Sequence, residues 1–280
     1  MNGLLIEGGG LRGFYSAGIL KVFTDNKIEF PTLVGISSGA IFALAYELNM
    51  DLDSLGLNGI FDNKGSSFVQ WKNLFRPRKG LLDSDRFFQA IPSVYDEVKK
   101  SDLKGHYITA TNTQTAELEW WELDKMHSPE DMRAKVKASC TIPVVMPQSY
   151  VDGTHFVDGG IIESIPIQQM LDLGVTKPVL ILTRSEGYIK NVQHMGIYLN
   201  SWLKGYDKLK EAMKTRHIRY NKALELVNKL EAEGKVFVFR PEEHRLARFE
   251  LNNEKAQLAY QDGIEMAEKR LDDLLEFLNT

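Results

Sequence analysis

The 280-residue sequence has a single cysteine, Cys140, which excludes an internal disulfide and every thiolate zinc cluster and suits a reducing compartment. Its neighbours, Ala138-Ser139 and Thr141-Ile142-Pro143, suggest a small buried side chain rather than a reactive one. No apolar run approaches the roughly 18 residues that would span a bilayer. Met1-Asn2-Gly3 is not a basic segment followed by a long apolar one, so no signal peptide is expected. The resulting expectation is a cytoplasmic protein whose membrane contact is at most peripheral. An excess of positive charge is also missing: the formal net charge of -4 gives no support to a nucleic-acid partner. Metal-ligand clusters are absent from the pattern as well. Glu117, Glu119 and Glu122 read as the wet edge of a strand, and Trp120 and Trp121 as core.

With 43% hydrophobic residues and no internal repeat or low-complexity linker, the chain can bury one large core, so a single domain over residues 1–280 is expected. Strand and helix patterns alternate along it. Leu4 to Glu7 reads as a short buried strand, Gly8-Gly9-Gly10-Leu11-Arg12-Gly13 as a loop, and Phe14 to Phe23 as a helix. Pro178 to Thr183 likewise follows a helix over Ile165 to Gly174. Such alternation predicts a three-layer α/β/α fold with a mostly parallel central sheet.

Three local patterns carry chemistry. Gly35-Ile36-Ser37-Ser38-Gly39 follows the apolar run Pro31 to Val34 and precedes the helix former Ala40 to Glu47, the order of a nucleophile elbow. In that turn a strained serine holds its hydroxyl above the sheet, which makes Ser37 the candidate nucleophile. The loop Gly8 to Gly13 precedes a helix, where unpaired N–H groups suit either an oxyanion or a phosphate. Its spacing also fits a dinucleotide fingerprint, yet the second strand ends in Gly35-Ile36-Ser37 instead of the acidic residue that would hold a ribose. Val157-Asp158-Gly159-Gly160 delivers an aspartate to a sheet end, and Asp152-Gly153 reads as a hairpin turn.

Taken in order, the glycine loop with Arg12, the Gly-Xaa-Ser-Xaa-Gly elbow and Asp158-Gly159-Gly160 resemble the patatin-like phospholipase family. Ala138 to Pro147 is similar to the family's segment between elbow and aspartate. The likeness covers residues 1 to about 185 well, and the rest only in its helix, strand, helix succession. It implies Ser37 as nucleophile and Asp158 as its direct proton acceptor, without a histidine. It implies an oxyanion hole from Gly8, Gly9, Gly10 and Arg12, to which the Ser38 N–H adds a donor; Gly13, Gly35, Gly39, Gly159 and Gly160 complete the motifs. No cofactor and no metal are implied, and the substrate class is a lipid or other acyl ester.

An isolated aspartate, with a pKa near ~3.9, is a weak base for an alcohol, so most of the barrier reduction is expected from donors aimed at the oxyanion. A rival Ser-His-Asp triad would place a histidine after the aspartate. His217 and His244 lie in charged runs and read as surface, His194 as a cap or surface residue, and His155 falls on the opposite strand face from Asp158. A second rival is a silent lipid- or nucleotide-binding protein on the same fold. Residues 62–90 are a candidate lid, with aromatic and basic side chains interleaved between Ser66 and Leu82 that suit a lipid surface. Residues 190–280 read as a helical C-terminal part: one long stretch from about Ser201 to Gly234 with a solvated basic face, a strand over Lys235 to Arg240, and a closing helix from Asn253 to Leu278. That last helix is expected to turn Leu258, Ile264, Leu271, Leu274, Leu275 and Leu278 to the core.

Overall fold

Five short apolar runs form the parallel centre of one sheet. The computed structural model describes residues 1–50, 79, 103–126, 128–192, 194–243, 245–250 and 252–280. Apart from Lys79, the candidate lid lies outside them, as does His244. β1 (Asn2–Ile6) pairs with β2 (Thr32–Ile36) on one edge and with β7 (Lys177–Ile181) on the other. Beyond these, β2 pairs with β3 (His106–Asn112) and β7 with β8 (Phe237–Phe239), all in parallel. β4 (Leu118–Glu122), β5 (Ser149–Val151) and β6 (Thr154–Asp158) add antiparallel pairings, making eight strands among the described residues.

The central strands are apolar at successive positions because helices cover both faces. Leu4, Ile6, Leu33, Val179 and Ile181 join one core with residues of α1 (Gly13–Asp25), α2 (Ser38–Glu47) and α3 (Pro129–Cys140). Leu5, Val34, Leu180 and Val238 join another with Ile167 and Met170 of α4 (Ile167–Asp172). The result is a three-layer α/β/α fold with a mostly parallel central sheet.

The register around β3 positions the site. β2 pairs with residues 106–109 of β3, β4 with 107–111, and β6 with 110–112. A strand has two edges, so β4 must occupy one while β2 and β6 share the other, end to end. β2 runs up to Ile36 opposite Thr109, and β6 runs down to Asp158 opposite Ala110. The elbow serine and the aspartate are therefore delivered head-on.

The C-terminal part departs from the expected pattern. The single stretch from Ser201 to Gly234 is instead α5 (Ile197–Trp202), α6 (Asp207–Lys214) and α7 (Arg216–Ala232). Gly205 adopts a left-handed φ of 85° between the first two, which lets Trp202, Leu203, Leu209 and Met213 fold back onto Val157 and Ile161. The closing helix is likewise two, α8 (Asn253–Lys269) and α9 (Leu271–Asn279). Arg270 marks the break, its guanidinium bonded to Val238 O at 2.6 Å and stacked 4.2 Å from the Phe237 ring. Leu274 is buried, but Leu258 and Leu275 are 45% and 39% exposed. The buried face of α8 is made of small residues, Ala256, Ala259, Gly263 and Ala267, with Tyr260. It crosses α1 so closely that a Cβ on Gly18 would come 3.1 Å from Gly263 Cα, which excludes leucine from the seam.

Candidate active site

Between β2 and α2 the backbone turns at Ser37 with φ 56° and ψ -127°, a conformation that costs a non-glycine residue about 1–3 kcal/mol. Surrounding groups hold it there. The Ser37 N–H donates to Ser139 Oγ at 3.1 Å, and its carbonyl accepts from Ala40 N–H at 2.9 Å and from Cys140 Sγ at 3.0 Å. Ser139 and Cys140 end α3, so that helix sets the elbow's geometry.

Asp158 is fixed with equal care. Its N–H donates to Thr141 O at 2.7 Å, and its carbonyl accepts from Thr111 Oγ1 at 2.9 Å. One carboxyl oxygen, Oδ1, accepts the Gly160 N–H at 2.7 Å from the turn that Gly159 begins. The other, Oδ2, accepts the Ser37 hydroxyl at 2.7 Å. Both residues are buried, Ser37 at 6% and Asp158 at 5% exposure. A hydroxyl held against a carboxylate oxygen, with the second oxygen already occupied, has one direction in which to give its proton.

The glycine loop runs directly beside the serine. A Cβ on Gly8 would lie 2.5 Å from Ser37 Cβ and 2.6 Å from Ile36 O. The amides of Gly8, Gly10 and Ser38 have no acceptor among the described residues. Gly9 differs from the expected role: its N–H donates to Ser38 Oγ at 3.0 Å, a bond that ties the loop to the elbow and removes this amide from the free donors. Gly13 starts α1, and Gly35 and Gly39 flank the elbow in β2 and α2. Arg12 is buried in the short turn between loop and helix, and its Nε has no hydrogen-bond partner among the described residues. Burial, then Arg184 and Arg248, push its guanidinium down to about 10.

Several neighbours of the site were not read from the sequence. Cys140 was expected to be buried but not to touch the elbow; burial, then Asp158, push its thiol well up. Arg216 and Arg219 belong to the run read as a solvated face, and both turn inward. Arg216 Nε donates to Gly160 O at 2.7 Å, while Arg219 donates to Ile162 O at 2.8 Å and Ile161 O at 3.1 Å. The signal was arginine in a lysine-rich run: a planar fork suits fixed carbonyls where an ammonium does not. His194 is exposed, His155 packs against the Tyr150 ring, and His217 is half-buried, not solvated as expected. None of the three bonds to Ser37 or Asp158.

Comparison with known proteins gives this geometry a lineage. The family model described as patatin-like phospholipase matches residues 4–171, and a second, described as a domain of unknown function (DUF6363), matches residues 206–279. Among curated proteins, a patatin-like phospholipase domain-containing protein of Caenorhabditis elegans is 25% identical over 187 residues, 64% of this chain and 16% of that protein. Neuropathy target esterase sws of Drosophila melanogaster is 24% identical over 210 residues, 74% of this chain and 14% of its own length. Lysophospholipase NTE1 of Yarrowia lipolytica is 25% identical over 179 residues, 62% of this chain and 12% of that protein. The chain thus spans about a sixth or less of the length of these relatives. The crystal structure of VipD from Legionella pneumophila shares the fold, with a TM-score of 0.51, 14% identity, and 97% of this chain and 67% of that chain covered. A family match that begins in β1, ends in α4 and takes in more than half of the sequence makes this chain a member of the patatin-like phospholipase family.

Proposed function

We propose that the chain is a serine acyl hydrolase that cleaves carboxylic esters of lipids with Ser37 as nucleophile and Asp158 as its proton acceptor. The observation that carries this reading is the 2.7 Å bond from Ser37 Oγ to Asp158 Oδ2 at a strained elbow, beside a loop whose Gly8 and Gly10 amides have no acceptor among the described residues. Membership of the patatin-like phospholipase family and similarity to proteins named esterase and lysophospholipase point the same way.

In this mechanism Ser37 Oγ attacks the acyl carbon as its proton passes to Asp158 Oδ2. The carbonyl oxygen takes up the negative charge, which the N–H groups of Gly8, Gly10 and Ser38 receive. Collapse of the tetrahedral adduct breaks the bond to the alcohol, which leaves with the proton from Asp158. Water then gives its proton to Asp158 and attacks the acyl-serine, and a second collapse releases the acid and returns the proton to Ser37 Oγ. In this reading Ser37, Asp158 and the loop amides carry each step and no histidine takes part. The whole chain acts as one hydrolase unit, since the C-terminal part adds β8 to the sheet and α7 to the support of the Asp158 turn. No helix among the described residues is long and apolar enough to cross a membrane.

The test is labelling with a fluorophosphonate probe, followed by hydrolysis of a panel of acyl esters. Wild type is expected to label and turn over; Ser37→Ala should lose both, and Asp158→Asn should lose turnover. Wild-type protein that neither labels nor hydrolyses any ester would overturn the reading in favour of a silent binding protein.

A further inference from the structure

Five cationic residues gather around the glycine loop and the Asp158 turn: Arg12, Arg184, Lys190, Arg216 and Arg248. Arg248 lies against the loop, its carbonyl accepting the Leu11 N–H at 3.0 Å. Arg216 is bonded to Gly160 at the turn beside Asp158. Arg12 is 8% exposed, with a buried Nε that has no hydrogen-bond partner among the described residues. Among the described residues, none of the five forms an ion pair.

The two acids that face them, Asp158 and Glu7, are already engaged, Asp158 by the Ser37 hydroxyl and the Gly160 N–H. Glu7 Oε2 accepts from Thr183 N–H at 2.7 Å and from its hydroxyl at 3.0 Å, and Oε1 accepts from Tyr220 O–H at 2.8 Å. The aromatic faces nearby are also taken. Lys190 Nζ sits 4.0 Å from the Tyr220 ring centroid and Arg184 sits 4.3 Å from that of Tyr188. Gathering like charges with little compensation is expensive unless a ligand supplies the opposite sign. Burial first, then Arg216 and Arg248, push Lys190 down to about 7.

We infer that Lys190, Arg216 and Arg248, with Arg12 and Arg184, form an anion-binding subsite beside Ser37 that selects acyl esters whose alcohol part carries a phosphate with net negative charge, and disfavours zwitterionic headgroups. The inference rests on the acyl-hydrolase reading above and adds to it the determinants of specificity. Phosphate matches the cluster better than carboxylate because it offers up to two charges and three oxygens to planar guanidinium forks. A choline or ethanolamine ammonium would find Glu7 and Asp158 already hydrogen-bonded, and the aromatic faces that could cradle it hold Lys190 and Arg184 instead. Arg216 and Arg248 lie outside the segment matched as patatin-like, and both fall in the residues 206–279 matched by the second family model. That C-terminal segment is thereby given a role in headgroup choice.

The experiment compares four monoacyl esters with the same chain, all below their micelle concentration: glycerol phosphate, phosphoglycerol, phosphocholine and plain glycerol as the alcohol. Turnover of the full-length protein is expected to favour the first two by about tenfold or more in kcat/KM. Lys190→Gln and Arg248→Gln should each reduce that preference about tenfold, chiefly through KM, while Lys190→Arg restores it and thermal unfolding reports that each variant is folded. Calorimetric binding of the same esters to Ser37→Ala tests the subsite independently of turnover. Inorganic phosphate should compete with the glycerol phosphate ester. If it instead binds while the four esters are used alike, the cluster is a site for free phosphate and the headgroup inference is wrong. Equal binding of all four esters by Ser37→Ala, or a preference for phosphocholine, also overturns it, even where probe labelling upholds the serine hydrolase.

Discussion

Gly8 is the residue at which space is tightest. A methyl group there would meet both Ser37 Cβ and Ile36 O, 2.5 and 2.6 Å away, and neither neighbour is the free end of a side chain. Gly8→Ala is therefore expected to displace the loop from the elbow, lowering stability by about 1–3 kcal/mol as overpacking does. If the loop amides receive the oxyanion, it should also reduce kcat/KM by about 100-fold or more, the effect of one lost donor and comparable to the loss of Asp158. Steady-state kinetics beside urea unfolding separates the two, and a folded Gly8→Ala protein with wild-type kcat would remove the loop from the mechanism. Ser37 and Asp158 were legible as candidates because each sits in a contiguous pattern of strand, turn and glycine. Ser139, whose hydroxyl holds the Ser37 N–H, was not, because its part depends on where the end of α3 falls 102 residues later. Gly9 was legible as a loop glycine, but the bond to Ser38 Oγ depends on two strands lying side by side.

Among the elements, α7 is the one that braces the turn after Asp158 from far along the chain. Its first turns hold Arg216 and Arg219, which bond to the carbonyls of Gly160, Ile161 and Ile162 just after Asp158. Arg219 also donates to Ala212 O at 2.6 Å and Thr215 Oγ1 at 2.8 Å, so one guanidinium ties α6, α7 and the turn together. Arg219→Ala should lower the unfolding free energy by about 2–3 kcal/mol, since carbonyls lose a charged donor, and should reduce kcat more than KM because the aspartate's turn is loosened. Lys at this position supplies an ammonium that cannot span the same carbonyls, so Arg219→Lys should recover only part of the loss. Wild-type stability and kcat in Arg219→Ala would show that the turn holds itself. The strands and helices around the glycine loop and the elbow, and β7 after its helix, were legible because short apolar runs and glycine turns are local signals. The break at Arg270 was not, since helix propensity continues through it, and the glycine that marks the break at Gly205 was passed over. What bends the chain is tertiary: Trp202 seeking the cover of Val157 and Ile161, and Arg270 reaching Val238 O. The face of α8 was misread for a related reason, because leucines mark a core only where the partner stands far enough away, and α1 does not.

For the molecule as a whole, buried ionisable groups set how stability follows pH. Glu47 at the end of α2 is pushed up from 4.5 to about 7, by burial first and then by Glu29. Its Oε2 lies 3.4 Å from His106 Nδ1, whose value burial lowers, so the imidazole is a weak counter-charge for it. Glu163, next to the Asp158 turn, is pushed up to about 7 by burial, against the Ile165 amide and Arg219. Between 4.5 and about 7 the native state keeps protons that the unfolded chain has released. The stability these carboxyls lend is therefore full below pH 4.5 and lost as pH rises through 7. Lys190 has the opposite sign: with its value lowered from 10.5 to about 7, its contribution is full above pH 10.5 and lost as pH falls through 7. Superposed, the three groups give a stability minimum near pH 7, with about 1.4 kcal/mol per pKa unit as the upper limit for each. Urea unfolding across this range should trace that minimum, Glu47→Gln flattening the acid limb and Lys190→Gln the alkaline one. A profile that rises steadily through pH 7 and is unmoved by either substitution would contradict the assignment. Inorganic phosphate adds a further arm, because an anion paired with Lys190 returns it to the protonated state. Its presence should raise stability most near pH 7 and below and should flatten the alkaline limb in wild type but not in Lys190→Gln.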